Sequence, residues 1–171
     1  MLFNTLVQFA DQFAFLNLFR YITFRTGGAL ITALIVSFIC GPFIINWLKR
    51  HQKKGQPIRD DGPQGHLITK VGTPTMGGVM ILLALVISTL LWADLYNGYI
   101  WMTMGVTISY GLIGFIDDYI KVTQQNPKGL PGKLKLLLQF LIAIAATIYF
   151  MTLVKDPMAT SLAIPFFKTI L

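Results

Sequence analysis

Two adjacent carboxylates, Asp117 and Asp118, end an apolar run in the stretch Gly114-Phe115-Ile116-Asp117-Asp118-Tyr119-Ile120-Lys121. A charge at the centre of a bilayer costs roughly 2.5 to 3.5 kcal/mol on insertion scales, and less at the interface. The position is still awkward. The C-terminal end of a helix carries partial negative charge, and neighbouring carboxylates repel one another. Positive charge must compensate: Lys121 one turn on, a divalent cation, or both. Oxygen ligands of this kind suit Mg²⁺, above all where a substrate phosphate completes the shell. That makes Asp117 a candidate metal ligand. Successive helical residues diverge by about 100°, so the two carboxylates are expected to play different roles. The spacing alone fits an ordinary solvated helix end with a topological lysine equally well.

A second stretch runs from Arg59-Asp60-Asp61-Gly62-Pro63 through His66 to Lys70-Val71-Gly72-Thr73-Pro74-Thr75-Met76-Gly77-Gly78. Pro74 presets an early helical turn that Thr73 or Thr75 could cap. Unpaired amides at such a start attract phosphate, and Lys70 stands just upstream as a cation for an anionic ligand. On pattern alone, Gly77 and Gly78 fit close helix packing better than ligand binding. The third stretch, Lys128-Gly129-Leu130-Pro131-Gly132-Lys133-Leu134-Lys135, is a turn leading into a basic helix start. Its ordinary explanation is membrane topology and contact with anionic headgroups. Its functional explanation is that Lys133 faces the same site as Lys121 and Asp117. His51 and His66 show no metal-ligand spacing.

The elements that must position these residues are membrane spans. Of the 171 residues, 54% are hydrophobic and only 12% charged, which excludes an ordinary soluble domain. Four runs approach the roughly 20 apolar residues that a hydrocarbon core requires. They are about 28–47, 76–92, 99–116 and 134–154, with Trp47, Trp92, Tyr99 and Trp101 at run ends, where amphipathic rings prefer the headgroup level. Pro42 is expected to kink the first. Leu2, Leu6, Phe9, Phe13 and Leu16 recur at helical spacing, which predicts an N-terminal helix lying in the interface or packed against the spans. The chain stops at Leu171 inside another apolar segment from about 164, which reads as a fifth span cut short. The fold expected is an all-α, polytopic transmembrane bundle in a single membrane domain, 1–171.

Orientation follows from the loops. Lys49, Arg50, Lys53, Lys54, Arg59 and Lys70 lie in the loop of about 48–75, and Lys121, Lys128, Lys133 and Lys135 lie between the third and fourth runs, around the loop of about 117–133. The connection after Trp92 has Asp94 and no base. Positive charge stays inside, so both basic loops are expected to be cytoplasmic, and Arg20 and Arg25 outside weaken the bias without reversing it. The net charge of +7 arises from these loops and presents no folded basic surface for nucleic acid. Cys40 lies within an apolar run and allows no internal disulfide. The N-terminus lacks the features of a cleavable signal peptide.

In this order and on these loops, the three stretches resemble the phospho-N-acetylmuramoyl-pentapeptide transferases, with Tyr21-Ile22-Thr23-Phe24-Arg25 and Pro165-Phe166-Phe167-Lys168 extending the likeness along the chain. The most specific part is Lys-x-Gly-Thr-Pro-Thr-Met-Gly-Gly, Lys70 to Gly78. The resemblance implies a Mg²⁺-dependent enzyme of the bacterial cytoplasmic (inner) membrane, with its active face on the cytoplasmic side. It would move phospho-N-acetylmuramoyl-pentapeptide from its uridine diphosphate carrier, UDP-N-acetylmuramoyl-pentapeptide, to undecaprenyl phosphate, giving lipid I and UMP. It further implies that Asp117 serves the lipid phosphate, that Asp118 is its essential neighbour, that Lys70 and Thr75 lie near the nucleotide, and that Lys121 and Lys133 face phosphates. A homodimer is left open. Family members are about twice as long, so the principal Mg²⁺ ligand is expected downstream of Leu171. The 171 residues by themselves are then expected to be inactive, as an N-terminal piece.

Two other readings compete. A sister enzyme would move N-acetylglucosamine 1-phosphate onto a polyprenyl phosphate, and the loop from Asp60 to Gly78 argues against it. A transporter or non-catalytic membrane subunit would be expected to place ionisable groups near the bilayer midplane. The four runs are free of Asp, Lys and Arg through their centres.

Overall fold

A computed structural model of the chain describes residues 2–52, 76–125 and 128–154. Among the described residues every regular element is helical. Helix α1 is Leu2–Leu6, followed by 3₁₀ segments at Val7–Phe9 and Ala14–Arg20. Four longer helices follow: α2 Ile22–His51, α3 Gly78–Trp92, α4 Gly98–Gln124 and α5 Gly132–Leu153.

Three of these, α2, α4 and α5, are long and apolar enough to cross a membrane. At 1.5 Å per residue α4 is about 40 Å long, beyond the roughly 30 Å of a hydrocarbon core. Its last two turns, past the apolar end at Ile116, therefore project into the interface. Helix α3 is shorter, with 15 residues, or about 22 Å. The expected second span began at 76, but Met76 has φ of 74°, a left-handed conformation that cannot begin a right-handed helix. The expected fifth span lies outside the described residues.

The third and first spans extend beyond their apolar runs. Residues 117–124, expected in a loop, are helical because Lys121 pairs with Asp117 four residues back and Asp118 three back. Helix α2 likewise continues to His51, with Lys49, Arg50 and His51 meeting the negative end of its dipole. Pro42 lies within α2 without ending it.

The N-terminal segment is not one amphipathic helix. It breaks around Asp11 and Gln12, with Phe13 in extended backbone, because its side chains meet the ends of the spans remote from Asp117 instead of a single plane. The Asn4 amide donates to Asp94 Oδ1 at 2.8 Å, and the Leu95 amide donates to Asn4 Oδ1 at 3.2 Å. Phe19 stacks on Trp92 at 5.7 Å between ring centroids, and the Arg25 guanidinium lies 4.1 Å from the Phe3 ring centroid. Ala10 and Leu16 are buried by this packing. The segment is a plug over the end of the bundle remote from Asp117.

Consecutive long helices pack antiparallel. A Cβ on Gly28 would collide with the Trp92 ring, so α2 approaches the end of α3 at a residue without a side chain, and Trp92 Nε1 donates to Thr32 Oγ1 at 2.9 Å. Leu82 of α3 meets Gly111 of α4, and Leu153 of α5 meets Gly98 of α4. The outward faces remain apolar: Phe38, Phe43, Leu136 and Phe140 are all exposed. Such a surface needs lipid around it. Hydroxyls within the spans bond back to their own helices, as Thr26 does to the Ile22 carbonyl and Thr107 to that of Thr103, leaving few polar groups for hydrocarbon to solvate. The chain is a multi-pass helical membrane protein.

Candidate functional site

The lower end of α4 and the start of α5 enclose one carboxylate. Asp117 is only 6% exposed, rare for an acid unless it is paired. Its Oδ2 lies 2.6 Å from Lys121 Nζ, and its Oδ1 lies 2.8 Å from Lys135 Nζ. The same Oδ1 accepts the Leu130 amide at 2.8 Å. Charge-assisted bonds of this length are the strong ones, and three of them reach one side chain from two helices and the turn between. Asp118, one residue on, is 3.6 Å from Lys121 Nζ and keeps its side chain 30% exposed.

The turn makes this convergence possible. Helix α4 ends with Gln125 left-handed at φ 50°, and Gly129 follows at φ 60° before Pro131 sets the start of α5. These reversals bring Leu130 and Lys135 back beside α4. A Cβ on Gly129 would collide with Asp117 Oδ1 and lie 2.8 Å from Lys121 Cε.

Burial alone would push the Asp117 carboxyl up. The hydrogen bonds from Lys121, Lys135 and the Leu130 amide, with the charge of Lys121, outweigh it and hold the group at about 2, against a usual 3.8. The group is therefore ionised at neutral pH. Lys121 is raised in turn, chiefly by its hydrogen bond to Asp117. Two carboxylates and two ammonium groups balance, so the repulsion expected from the sequence is answered by lysines within the described residues. Next to them a cavity of about 380 Å³ opens between α3 and α4, lined by Met76, Gly78, Leu82, Gly114, Asp117 and Asp118. The first turn of α3 thus borders the same space as the acidic pair. A Cβ on Gly77 or Gly78 would meet no described atom within 4 Å, so the close-packing reading of this pair finds no support.

Of the residues singled out by sequence, the structure brings together Asp117, Asp118 and Lys121. Lys70 and Thr75 lie outside the described residues. Lys133 is exposed at the start of α5 and takes no part in the ion pairs to Asp117; Lys135 fills that place. Two residues on a helix are about 200° apart, so only one of these lysines can face α4. A signal for the right one was present. Ile142, Ala146 and Tyr149 face α4 across a shared cavity, and Leu153 meets Gly98. Continuing that three-four spacing towards the N-terminus gives Gln139 and then Lys135, not Lys133.

Among the described residues no three His, Cys, Asp or Glu side chains group as a metal site. The donors present still suit a hard cation, since both are carboxylate oxygens. Asp117 is already bonded at both oxygens, whereas Asp118 borders the cavity with part of its side chain open. Asp118 is the better hand-hold of the two.

Residues 70–82 match a family model described as phospho-N-acetylmuramoyl-pentapeptide-transferase signature 1. The matched stretch includes the start of α3, which borders the cavity. Over all 171 residues the chain is 57% identical to a protein of Granulibacter bethesdensis named phospho-N-acetylmuramoyl-pentapeptide-transferase, of which it covers 47%. The chain thus spans about half the length of that curated relative. By its sequence, the chain belongs to the phospho-N-acetylmuramoyl-pentapeptide-transferase family.

Proposed function

We propose that these residues form part of the site that transfers phospho-N-acetylmuramoyl-pentapeptide from UDP to undecaprenyl phosphate, giving lipid I and UMP in peptidoglycan synthesis. The observation that carries the reading is the buried Asp117 held between Lys121 and Lys135 beside the cavity at the start of α3. Phosphoryl transfer asks a protein chiefly for positioning and charge neutralisation. One substrate is anchored in lipid and the other is cytosolic, and the cluster lies where a membrane helix emerges from the apolar layer.

Each residue has a part. A phosphate oxygen of the lipid carrier attacks the sugar-linked phosphorus of the nucleotide substrate. The pyrophosphate P–O bond breaks, and its electrons leave with UMP. Asp117, saturated by three donors, fixes two ammonium groups at one spot, where they can meet the phosphates. The positive end of the α3 dipole borders the same cavity and favours an anion there. Lys70 and Thr75 are proposed to serve the nucleotide. Because the described cluster is already neutral, two anionic substrates need further positive charge. Asp118, with acidic groups elsewhere in a full-length chain, would hold Mg²⁺, which supplies charge neutralisation at the pyrophosphate oxygens. The protein is proposed to sit in the bacterial cytoplasmic membrane with this end facing the cytoplasm.

The test uses full-length chain in vesicles containing undecaprenyl phosphate, supplied with either UDP-N-acetylmuramoyl-pentapeptide or UDP-N-acetylglucosamine. UMP release is measured with and without Mg²⁺. Release from the first donor alone, and only with the cation, is the expected result. Release from the second donor would place the chain in the sister reaction instead.

A further inference from the structure

Gly129 is a residue that the transfer reaction does not obviously need. It carries no functional group, lies in a turn, and could be explained by its φ of 60° alone. The space around it says more. The Cβ of any other residue would run into Asp117 Oδ1, and would come within 2.8 Å of Lys121 Cε and 3.0 Å of Lys121 Cγ. No displacement there is easy. Asp117 has a short side chain anchored on α4, and Lys121 Nζ lies 2.6 Å from its other oxygen. The neighbouring Leu130 amide donates to Oδ1 at 2.8 Å, so the backbone of the turn lies directly against the carboxylate.

We propose that Gly129 is a positioning residue for Asp117: its missing side chain lets the turn close on the carboxylate and keep it between Lys121 and Lys135. With any Cβ at 129, either the turn retreats and the Leu130 bond opens, or the carboxylate rotates off its lysines. A turn glycine needed only for its backbone conformation would leave a different mark. Asparagine, which tolerates left-handed backbone better than other side-chain residues, would then replace it well. Where the obstacle is the Cβ itself, asparagine fails as alanine does.

The test is a double-mutant cycle on folding in the full-length protein, which requires no assumption about catalysis. Gly129→Ala is made in the native background and in Asp117→Ala, and thermal unfolding is followed in detergent. The backbone strain of alanine at this φ is common to both backgrounds and cancels. The expected result is a fall in melting temperature in the native background that shrinks by at least half once the carboxylate is gone. If native-background Gly129→Ala does not fold at all, recovery of folded protein in the double variant is the same result. An equal fall in both backgrounds, or failure to fold in both, overturns the proposal.

A kinetic arm rests on the transferase reading above. Gly129→Ala and Gly129→Asn should each lower kcat on the order of 100-fold, the scale of a carboxylate displaced by about 1 Å, with KM for both substrates changed far less. Asparagine at the wild-type rate would reduce the glycine to a turn former. Should Asp117→Ala leave turnover intact, the placement of Asp117 in the transfer site fails while the folding cycle still decides the role of Gly129.

Discussion

Replacing Lys135 by methionine keeps most of the length of the side chain and removes its ammonium group. In the structure this takes from Asp117 the ammonium group 2.8 Å from Oδ1, but leaves Lys121 and the Leu130 amide in place. The carboxylate is thus weakened, not orphaned, and the 3–5 kcal/mol typical of breaking a buried pair is too large a figure. One hydrogen bond between charged groups contributes about 1.5–3 kcal/mol. The Lys135 side chain is 32% exposed, so water recovers part of that. A loss of about 1–2 kcal/mol remains. Lys133, exposed and outside the cluster, should respond to the same substitution by less than about 0.5 kcal/mol. Unfolding of the full-length protein in detergent, followed by tryptophan fluorescence, compares the two directly. If the same charge–carboxylate contact also serves the transition state, Lys135→Met slows transfer by roughly tenfold, at 1.36 kcal/mol per decade. An equal or larger effect of Lys133→Met on stability would refute the reasoning, because the orientation of α5 would then be wrong.

Asp117 gives a pH signature. Its carboxyl is held at about 2 in the fold against a usual 3.8, so its stabilisation is complete above about pH 4 and is lost as pH falls towards 2. Asp117→Asn should remove a contribution of roughly 2 kcal/mol from the acid limb of the unfolding profile; superimposable profiles would contradict it. At the opposite end of the bundle, Asn4→Leu removes two hydrogen bonds to the α3–α4 connection. It should loosen the N-terminal plug by about 1–2 kcal/mol, read as faster amide exchange over residues 2–20 with the centre of α4 unchanged. Gly28→Val should force the Trp92 ring from its seat, destabilising by about 1–3 kcal/mol and shifting its fluorescence. An unchanged spectrum would mean that α2 and α3 do not meet there.

The spans could be read from the sequence because lipid imposes a simple demand: a long apolar run in a helix that satisfies its own backbone. The ends of the spans were less legible. Apolarity stops at Ile116, but the helix does not, since Asp117 and Lys121 pair along it and extend it to Gln124. At the N-terminus, helical spacing of Leu2, Leu6, Phe9 and Phe13 pointed to one helix. Contacts with Trp92, Asp94 and Arg25, all distant in sequence, broke it into shorter pieces. In the site, the paired acids and Lys121 were visible because they are close along one helix. Lys135 was missed because its place depends on how α5 rotates against α4, which the interhelical stripe encodes only weakly. Gly129 was equally hidden, since nothing in a turn sequence tells which side chain will lie against it.

The central claim is that the carboxylate caged at the end of α4 belongs to the machinery of lipid I formation. The most direct measurement is lipid I synthesis from radiolabelled UDP-N-acetylmuramoyl-pentapeptide by full-length protein, native or carrying Asp117→Asn, with folding checked by size exclusion. Loss of nearly all turnover in a variant that remains folded is the predicted result. Native-like turnover in the folded variant would contradict the account.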